Sequence, residues 1–340
     1  MRALLVSAGL AVVVLGGVAA RAPAVRGPEV SIAATGDIAM VTSPDGGAGF
    51  FRRIRSALTG DAVVGNLEGT LTTRGSPKCG ANATDCFSFR APPSYARVLR
   101  HAGFTILNLA NNHAFDCGAS GSEETIAALD RARLLHTGRP GEGAFTKTHG
   151  IRIGFVGFAP YPWAQDLRDI GAARRIVRAA GDLADIVVVT MHAGAEGPDH
   201  THVRPGHETF LGENRGNTVA FAHAVVDAGA DLVLGSGPHV LRGLEWYHAR
   251  LITYSLGNFL GNGTLSIDGV RAVSAVLQVR LHRDGSWAAG RIVPVRLVRP
   301  GIPTLDPQRE AFRVLRDLSR ADFGRRGVRV SPTGALLPGG

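Results

Sequence analysis

The chain has 340 residues, of which 45% are hydrophobic and 19% are charged, so it can bury a large core and is neither disordered nor fibrous. Its formal net charge of +9 fits either a basic solvated surface or an anionic partner. Its basic residues are not interleaved with aromatic residues, so we expect no nucleic-acid partner.

The first 24 residues have the pattern of a targeting segment. Met1 and Arg2 precede an uncharged apolar run, residues 3–20, that ends in small residues. This is typical of a secretory signal cleaved after Ala20 or Ala24, although the run is also long enough for a marginal membrane anchor. We therefore predict that residues 1–24 are a signal peptide or an N-terminal anchor. The protein would be exported, and would be extracellular or held at the outer face of the cell membrane.

Export would place the three cysteines in an oxidising compartment, where disulfides form. Cys79 and Cys86 lie seven residues apart in a loop rich in Gly, Asn and Thr, and in an oxidising compartment we expect them to form a disulfide. Cys117 is then left over, and we expect it to be a small buried residue.

The remaining chain alternates between short apolar runs and segments with helical spacing. This alternation predicts a mainly parallel sheet flanked by helices. After Leu251 the runs have period-two character, which predicts an antiparallel second half, and a last amphipathic helix after Asp306 precedes a loose tail from Arg325. We predict strands at residues 30–34, 62–65, 104–109, 151–158, 186–190 and 231–234. We predict helices at residues 51–58, 92–102, 122–134, 172–180 and 218–228, with Asn217 as the cap of the helix at residues 218–228.

Five of these strands end at side chains that can bind a metal ion. Ligands collect at the carboxyl ends of parallel strands, so we expect these side chains to converge. Mixed carboxylate, amide and imidazole ligation suits Zn, Mn or Fe, and one or two divalent ions would activate a water and clamp a phosphate or carbonyl group. His113, next to a ligand, would then be the catalytic general acid. The predicted metal ligands are Asp37, Glu68, Asn112, His192 and His239.

Short motifs at these strand ends carry a family resemblance. They are Gly36-Asp37, Asn66-Leu67-Glu68, Asn111-Asn112-His113 with Asp116, His192 with Glu196, Gly237-Pro238-His239, and Tyr254-Ser-Leu-Gly-Asn-Phe259. In order and spacing they resemble the capsule synthesis protein CapA family of bacterial poly-γ-glutamate synthesis. The resemblance implies an α/β (α+β sandwich) metallophosphoesterase-like fold, with two packed mixed β-sheets flanked by helices in four layers. It also implies a domain over residues 25–300, followed by a C-terminal helix and a basic Gly/Pro-rich tail at residues 301–340.

Two positions depart from the metallophosphoesterase pattern. Ala39 and Gly237 stand where that pattern has histidines, so each metal of a pair could lose one ligand. His200 and His202 are possible extra metal ligands, because a His-x-His pair on an extended segment faces one side. The alternative is that they belong to a polar surface loop.

Each of four further residues has two possible roles. Asp116 and Glu196 either support the imidazoles or cap loops. Asn258 either contacts substrate or bonds to backbone in a turn. Arg90 either binds an anionic ligand or forms a structural ion pair.

The sequence thus supports two functional hypotheses. One is a metal-dependent hydrolase acting on an anionic cell-envelope polymer, such as poly-γ-glutamate, or on a phosphorylated substrate. The other is a non-catalytic protein that binds polyanion, within a membrane-bound polymer synthase or export complex.

Overall fold

The computed structural model describes residues 27–80 and 86–339, which form twenty strands and five α-helices. Up to residue 158 the elements are β1 (Glu29–Ile38), β2 (Ala62–Leu67), β3 (Thr70–Leu71), β4 (Arg90–Ala91), α1 (Tyr95–Ala102), β5 (Ile106–Asn108), α2 (Gly118–Arg131), β6 (Leu135–Thr137), β7 (Ala144–Thr148) and β8 (Ile151–Phe158). Beyond it they are α3 (Ile170–Leu183), β9 (Ile186–His192), β10 (Thr209–Phe210), β11 (Glu213–Asn214), α4 (Thr218–Asp227), β12 (Leu232–Ser236), β13 (Leu244–Tyr247), β14 (Arg250–Thr253), β15 (Asn258–Leu260), β16 (Val273–His282), β17 (Trp287–Val298), β18 (Ile302–Leu305), α5 (Glu310–Phe323), β19 (Arg329–Val330) and β20 (Leu336–Leu337).

Most of the long strands belong to two mixed sheets. The first sheet has the order β18-β17-β16-β1-β2-β5-β6, and β15 pairs with the end of β1. The second sheet has the order β13-β14-β12-β9-β8-β7. In both sheets the central strands run parallel, and antiparallel strands are added at the edges. The carboxyl ends of the parallel strands therefore gather at one edge of each sheet.

Apolar side chains between the sheets form the central core. Ile32 and Val64 of the first sheet belong to one buried cluster with Phe155 and Val188 of the second. Burying one such side chain stabilises the fold by about 1.5–3 kcal/mol. A second cluster joins the outer face of the first sheet to α1 and α2, and a third joins the outer face of the second sheet to α3 and α4. The order helix, sheet, sheet, helix confirms the predicted four-layer α/β fold.

Local signals set the ends of the flanking helices. Asn217 caps α4, where its Oδ1 accepts a hydrogen bond from the backbone N–H of Ala220, as the sequence predicts. Asp169 caps α3 in the same way through Ala172. Helix α1 ends at Gly103, whose φ of 118° is a left-handed conformation that favours glycine.

Two predicted elements are wrong. Residues 51–58 form turns and a short 3-10 helix, Arg55–Ala57, because this brief segment has no side-chain cap to nucleate an α-helix. Phe51 and Ile54 are nevertheless buried against the first sheet. The antiparallel strands β16 to β18 are not a separate half, because they extend the first sheet from β1, whereas β14 joins the second sheet in parallel.

The C-terminal tail is ordered, so the expectation of a loose segment from Arg325 is also wrong. Strands β19 and β20 pair with each other, and Val328, Val330 and Leu336 are buried in the core between the sheets. Leu315 of α5 reaches the same core. Apolar contact on these few side chains outweighs the Gly/Pro-rich composition that suggested disorder.

The predicted disulfide between Cys79 and Cys86 is present in the structure, and Cys117 is free and buried. The signal or anchor predicted for residues 1–24 lies outside the described residues. Within residues 27–80 and 86–339, no helix is long and apolar enough to cross a membrane.

Candidate functional site

Four of the predicted ligands converge where the two sheets meet. Asp37, Glu68 and His192, here called the acidic cluster, are fully buried and each offers a ligand atom within 4.8 Å of the others. His239 lies beside them, with Nε2 3.4 Å from Glu68 Oε1 and Nδ1 3.3 Å from Asp37 Oδ2. The chain reaches this point from the ends of β1, β2, β9 and β12, so the parallel strand order brings the side chains together.

The carboxylate of Glu68 is the least satisfied group of the cluster. Both of its oxygens are buried without a hydrogen-bond partner, and burial raises its pKa well above the ordinary value. Asn112 Oδ1, from the fifth predicted ligand, is also buried without a partner. Unpaired buried oxygens beside an imidazole are a donor set that fits a divalent cation.

An amide network holds the acidic cluster in place. Asn66 Nδ2 donates to Asp37 Oδ1 at 2.9 Å and lies 3.1 Å from His192 Nδ1. The carbonyl oxygen of the same side chain accepts hydrogen bonds from Asn108 and Asn111. Within the first sheet, neutral hydrogen bonds between strand ends thus orient Asp37.

His113 forms a dyad with Asp116. His113 Nδ1 lies 2.8 Å from Asp116 Oδ2, and its Nε2 faces Glu68 Oε1 at 3.9 Å. Asp116 also accepts from the backbone N–H of Phe89 and pairs with Lys78, while the Phe89 ring stacks on the His113 ring. Burial lowers the pKa of His113, and the hydrogen bond to Asp116 partly offsets that effect. The dyad therefore presents Nε2 as its free nitrogen.

The two other imidazoles have opposite electrostatics. Burial lowers the pKa of His192 well below its ordinary value, and the positive charge of Arg215 adds to this despite the nearby Asp37 carboxylate. Burial also opposes the charged form of His239, but Glu68, Glu196 and Asp37 raise its pKa well above the ordinary value. The surroundings thus favour the neutral form of His192, and they favour the charged form of His239, which balances carboxylate charge.

Arg215 is the main residue that the sequence did not identify. Its guanidinium is 1% exposed, donates to Glu196 Oε1 at 2.7 Å, and lies 3.4 Å from His192 Nε2. It is contributed by the insert between β9 and α4. A lone arginine in a polar loop gives no periodic or motif signal, so only the fold shows that its side chain turns inward.

The remaining candidates differ in how close they lie to the acidic cluster. Asn258 Oδ1 lies 2.8 Å from His239 Nδ1, and Glu196 pairs with Arg215. Arg90 donates to the backbone carbonyls of Thr72 and Gly75, so it holds the disulfide loop. His200 and His202 are not in the acidic cluster, and His202 is paired with Asp322 on α5 at 2.6 Å.

The two departures from the histidine pattern are visible at the site. The backbone N–H of Gly237 donates to Asp37 Oδ2 at 3.2 Å, and a Cβ at this position would lie 3.2 Å from the His192 ring. Ala39 is buried and donates its backbone N–H to Leu260. Neither residue offers a ligand side chain.

A cavity of about 480 Å³, here called the cleft, opens beside His113 and His239. Its walls come from Lys78 and residues 86–89 at the two ends of the disulfide loop (residues 79–86), from the β10–β11 hairpin and from residues 258–271. The groups lining it include Lys78, Glu196, Arg215 and Arg271, together with the apolar side chains Phe87, Phe89, Phe210 and Leu211. A ligand in the cleft would lie next to the dyad.

The chain is similar to several known proteins. The chain is 30% identical over 298 residues to the capsule biosynthesis protein CapA of Bacillus anthracis, covering 79% of this chain and 67% of that protein. It is 28% identical over 289 residues to the PGA biosynthesis protein CapA of Bacillus subtilis, covering 76% and 69%. A phosphatase structure from Mycoplasma pneumoniae superposes with a TM-score of 0.48 at 11% identity, covering 85% of this chain and 100% of that one. Residues 31–263, which carry the acidic cluster and the dyad, match the family described as bacterial capsule synthesis protein PGA_cap, and the chain belongs to that family.

Proposed function

We propose that this protein is a metal-dependent hydrolase of phosphoesterase type that serves the synthesis of an anionic cell-envelope polymer. The observation that carries the proposal is the Glu68 carboxylate, buried with two unpartnered oxygens inside the acidic cluster. Such a group is costly to bury unless a cation binds it. Family membership supports the polymer context, since relatives are named for capsule and PGA biosynthesis.

The acidic cluster would hold the cation through Asp37, Glu68 and His192, with Asn112 as a further ligand, and His239 would join them on losing its proton to solvent as the cation binds. Mn, Zn or Fe suits this donor set, and when bound it supplies Lewis-acid polarisation of the scissile group. Three carboxylates face the site, but Glu196 is neutralised by Arg215. The acidic cluster is a single group of ligand atoms, and Ala39 and Gly237 add no ligand side chain to it, so we favour one ion over two.

The protein's own groups would supply positioning and proton transfer. Asp116 fixes the ring of His113, so Nε2 is the atom that hands a proton to the leaving group. The amide network around Asn66 keeps Asp37 aimed at the cation. Burial of all these groups excludes water, which strengthens each electrostatic contact.

Metal content tests this proposal directly. The purified full chain, reconstituted with Mn²⁺ or Zn²⁺, is expected to retain about one equivalent, and an Asp37→Ala, His192→Ala double variant to retain none. Hydrolysis of a chromogenic phosphoester that needs the metal and is lost in His113→Ala completes the test. A wild-type chain that binds no divalent ion after reconstitution would overturn the proposal.

The second candidate is a non-catalytic polyanion-binding partner in a polymer synthase complex. It is favoured by Ala39 and Gly237, which supply no ligand side chains, and by the net charge of +9. On this hypothesis, poly-γ-glutamate binds equally to the wild type and to His113→Ala, and the wild type hydrolyses neither phosphoesters nor the polymer. Binding should weaken steeply with added salt.

A further inference from the structure

The rim of the cleft carries apolar side chains that a purely ionic ligand would not use. Phe87 is 57% exposed on the disulfide loop, and Leu211 is 70% exposed at the tip of the β10–β11 hairpin. Both side chains line the cleft. Phe210, whose ring is partly buried, lines it as well. Large exposed apolar groups beside a functional cavity mark ligand-binding or interaction surfaces.

The backbone at Leu211 has a conformation that is unusual for a leucine. Leu211 has a φ of 47°, a left-handed conformation that is unfavourable for a leucine, and Gly212 follows with a φ of 80°. The turn between β10 and β11 therefore holds an apolar side chain outward at a position where a small polar residue would cost less. On the other wall, the Cys79–Cys86 disulfide ties down the segment that carries Phe87.

The same cleft contains a guanidinium available to an anion. Arg271 lines the cleft, and no carboxylate among the described residues lies within ion-pair distance of it. The two carboxylates on the cleft wall, Glu196 and Glu213, both face Arg215 instead, at 2.7 and 3.8 Å. Arg271 thus keeps an uncompensated positive charge beside an apolar rim.

We propose that the cleft binds an amphiphilic anion, an ester whose charged group lies near Arg271 and the acidic cluster and whose hydrocarbon part packs against Phe87 and Leu211. The proposal rests on the proposed function for the ester bond and for the cation that would draw an anion to the acidic cluster. It narrows the substrate class from any anionic polymer or phosphate to a phosphate ester of a hydrocarbon alcohol. A short polar phosphate ester would leave the apolar rim exposed.

Binding of alkylphosphonates tests the assignment without turnover, because their carbon–phosphorus bond is not an ester bond. Isothermal titration of the full-length chain, with and without Mn²⁺, would compare ethylphosphonate with octylphosphonate below its micelle concentration. Removing methylene groups from water favours binding, so partial burial of the longer chain should give at least about tenfold tighter binding of octylphosphonate. Equal affinity for the two ligands would overturn the proposal.

Three variants assign the effect to residues. Phe87→Ser with Leu211→Ser should reduce the octyl-to-ethyl preference to about threefold or less, while Leu183→Ser, a similarly exposed leucine at the end of α3, should leave it unchanged. Arg271→Gln should weaken both ligands by a similar factor of about ten and keep their ratio. A preference that survives the double substitution would overturn the proposal.

Two further outcomes separate the possible errors. If the chain binds phosphatidylcholine vesicles through Phe87 and Leu211 but does not distinguish the phosphonates, the rim serves a membrane surface and the proposal is overturned. If the preference holds but no ester is hydrolysed, the cleft assignment stands and the proposed hydrolase function fails.

Discussion

The half of the site built by the first sheet differs from the half built by the second. In the first, Asp37 is held by neutral amides, with Asn66 at the centre of the network. In the second, His192 and Glu196 are held by the charge of Arg215. Amide hydrogen bonds orient a side chain without changing the net charge of the site. A guanidinium orients a side chain and also adds one positive charge to the site. The first half is therefore suited to orient a cation, and the second to limit how much positive charge the site accepts.

The largest expected effect comes from Glu68→Gln in the first half. The substitution keeps the shape but removes the unpaired charge, so cation affinity should fall at least about 100-fold, beyond the usual cost of losing a supporting residue. Glu196→Gln in the second half should change affinity by less than about tenfold. Titration of both variants with Mn²⁺ measures the difference.

Stability provides the control for Glu68→Gln. Since burial raises the pKa of Glu68, its charged form is unfavourable in the metal-free protein. The metal-free variant should therefore unfold at the same temperature as the wild type or higher. A marked fall in the unfolding temperature, or similar affinity losses in the Glu68 and Glu196 variants, would contradict the division into two halves.

Arg215→Met should give the next largest effect, on stability. It leaves Glu196 partly buried without its partner, so the free energy of unfolding should fall by about 2–4 kcal/mol. Adding Glu196→Gln should recover at least half of this loss, because the uncompensated charge is then gone. Urea unfolding of the two single variants and the double variant gives the coupling energy. A double variant no more stable than Arg215→Met would mean that Arg215 acts by packing and not by charge.

Asp116→Asn should affect catalysis more than binding. Without the carboxylate, His113 loses the acceptor that fixes its ring and its Nδ1 proton. We expect kcat for phosphoester hydrolysis to fall about 10–100-fold, with cation affinity changed less than about threefold. Lys78→Met, which removes the ion pair but leaves the dyad, is the matched control. A parallel loss of cation affinity in Asp116→Asn would show that the dyad is part of the metal site instead.

The sequence predicted one half of the site better than the other, for physical reasons. Asp37, Glu68 and His192 lie at the ends of buried strands, where an apolar run stopping at a polar residue is visible without a structure. Asn66 lies in the same kind of position, but its role depends on which strands are neighbours, and sequence order does not give that. Arg215 belongs to an insert with no period, so its burial follows only from the packing of that insert.

The fold shows the same division. Strands β8 and β9 and helix α4 were predicted nearly to the residue, because continuous apolar runs and a capping asparagine are local signals. The edge strands β6, β7 and β13 have only three to five residues each, which is too short for a periodic pattern to be recognised. The C-terminal tail was misjudged because Val328, Val330 and Leu336 contribute to the core individually and not as a pattern.

The ion pairs of Glu142 provide a comparison for the ion pair between Arg215 and Glu196. Glu142 lies 2.9 Å from His136 Nδ1 and 2.8 Å from Arg139 Nη2. Burial raises the pKa of Glu142, but the hydrogen bonds from these two residues lower it to about 2. The hydrogen bond with Glu142 raises the pKa of His136 above its ordinary value of 6.5, despite burial.

Glu142→Gln should therefore lower the free energy of unfolding less than Arg215→Met does, and this loss should depend on pH. The low folded pKa of Glu142 stabilises the protein above pH 4.5, its ordinary value, and this stability is lost as the pH falls toward about 2. The raised pKa of His136 stabilises below pH 6.5 and is lost as the pH rises through the folded value. The free energy of unfolding of the variant should be lower than that of the wild type by about 1–2 kcal/mol between pH 4.5 and pH 6.5. The difference should be smaller below and above this range. Urea unfolding at acidic, intermediate and alkaline pH measures the profile. The loss in Arg215→Met should instead stay nearly constant from neutral to alkaline pH, because an arginine keeps its charge there; if both variants showed the same pH profile, the second half of the site would not be held by a permanent charge.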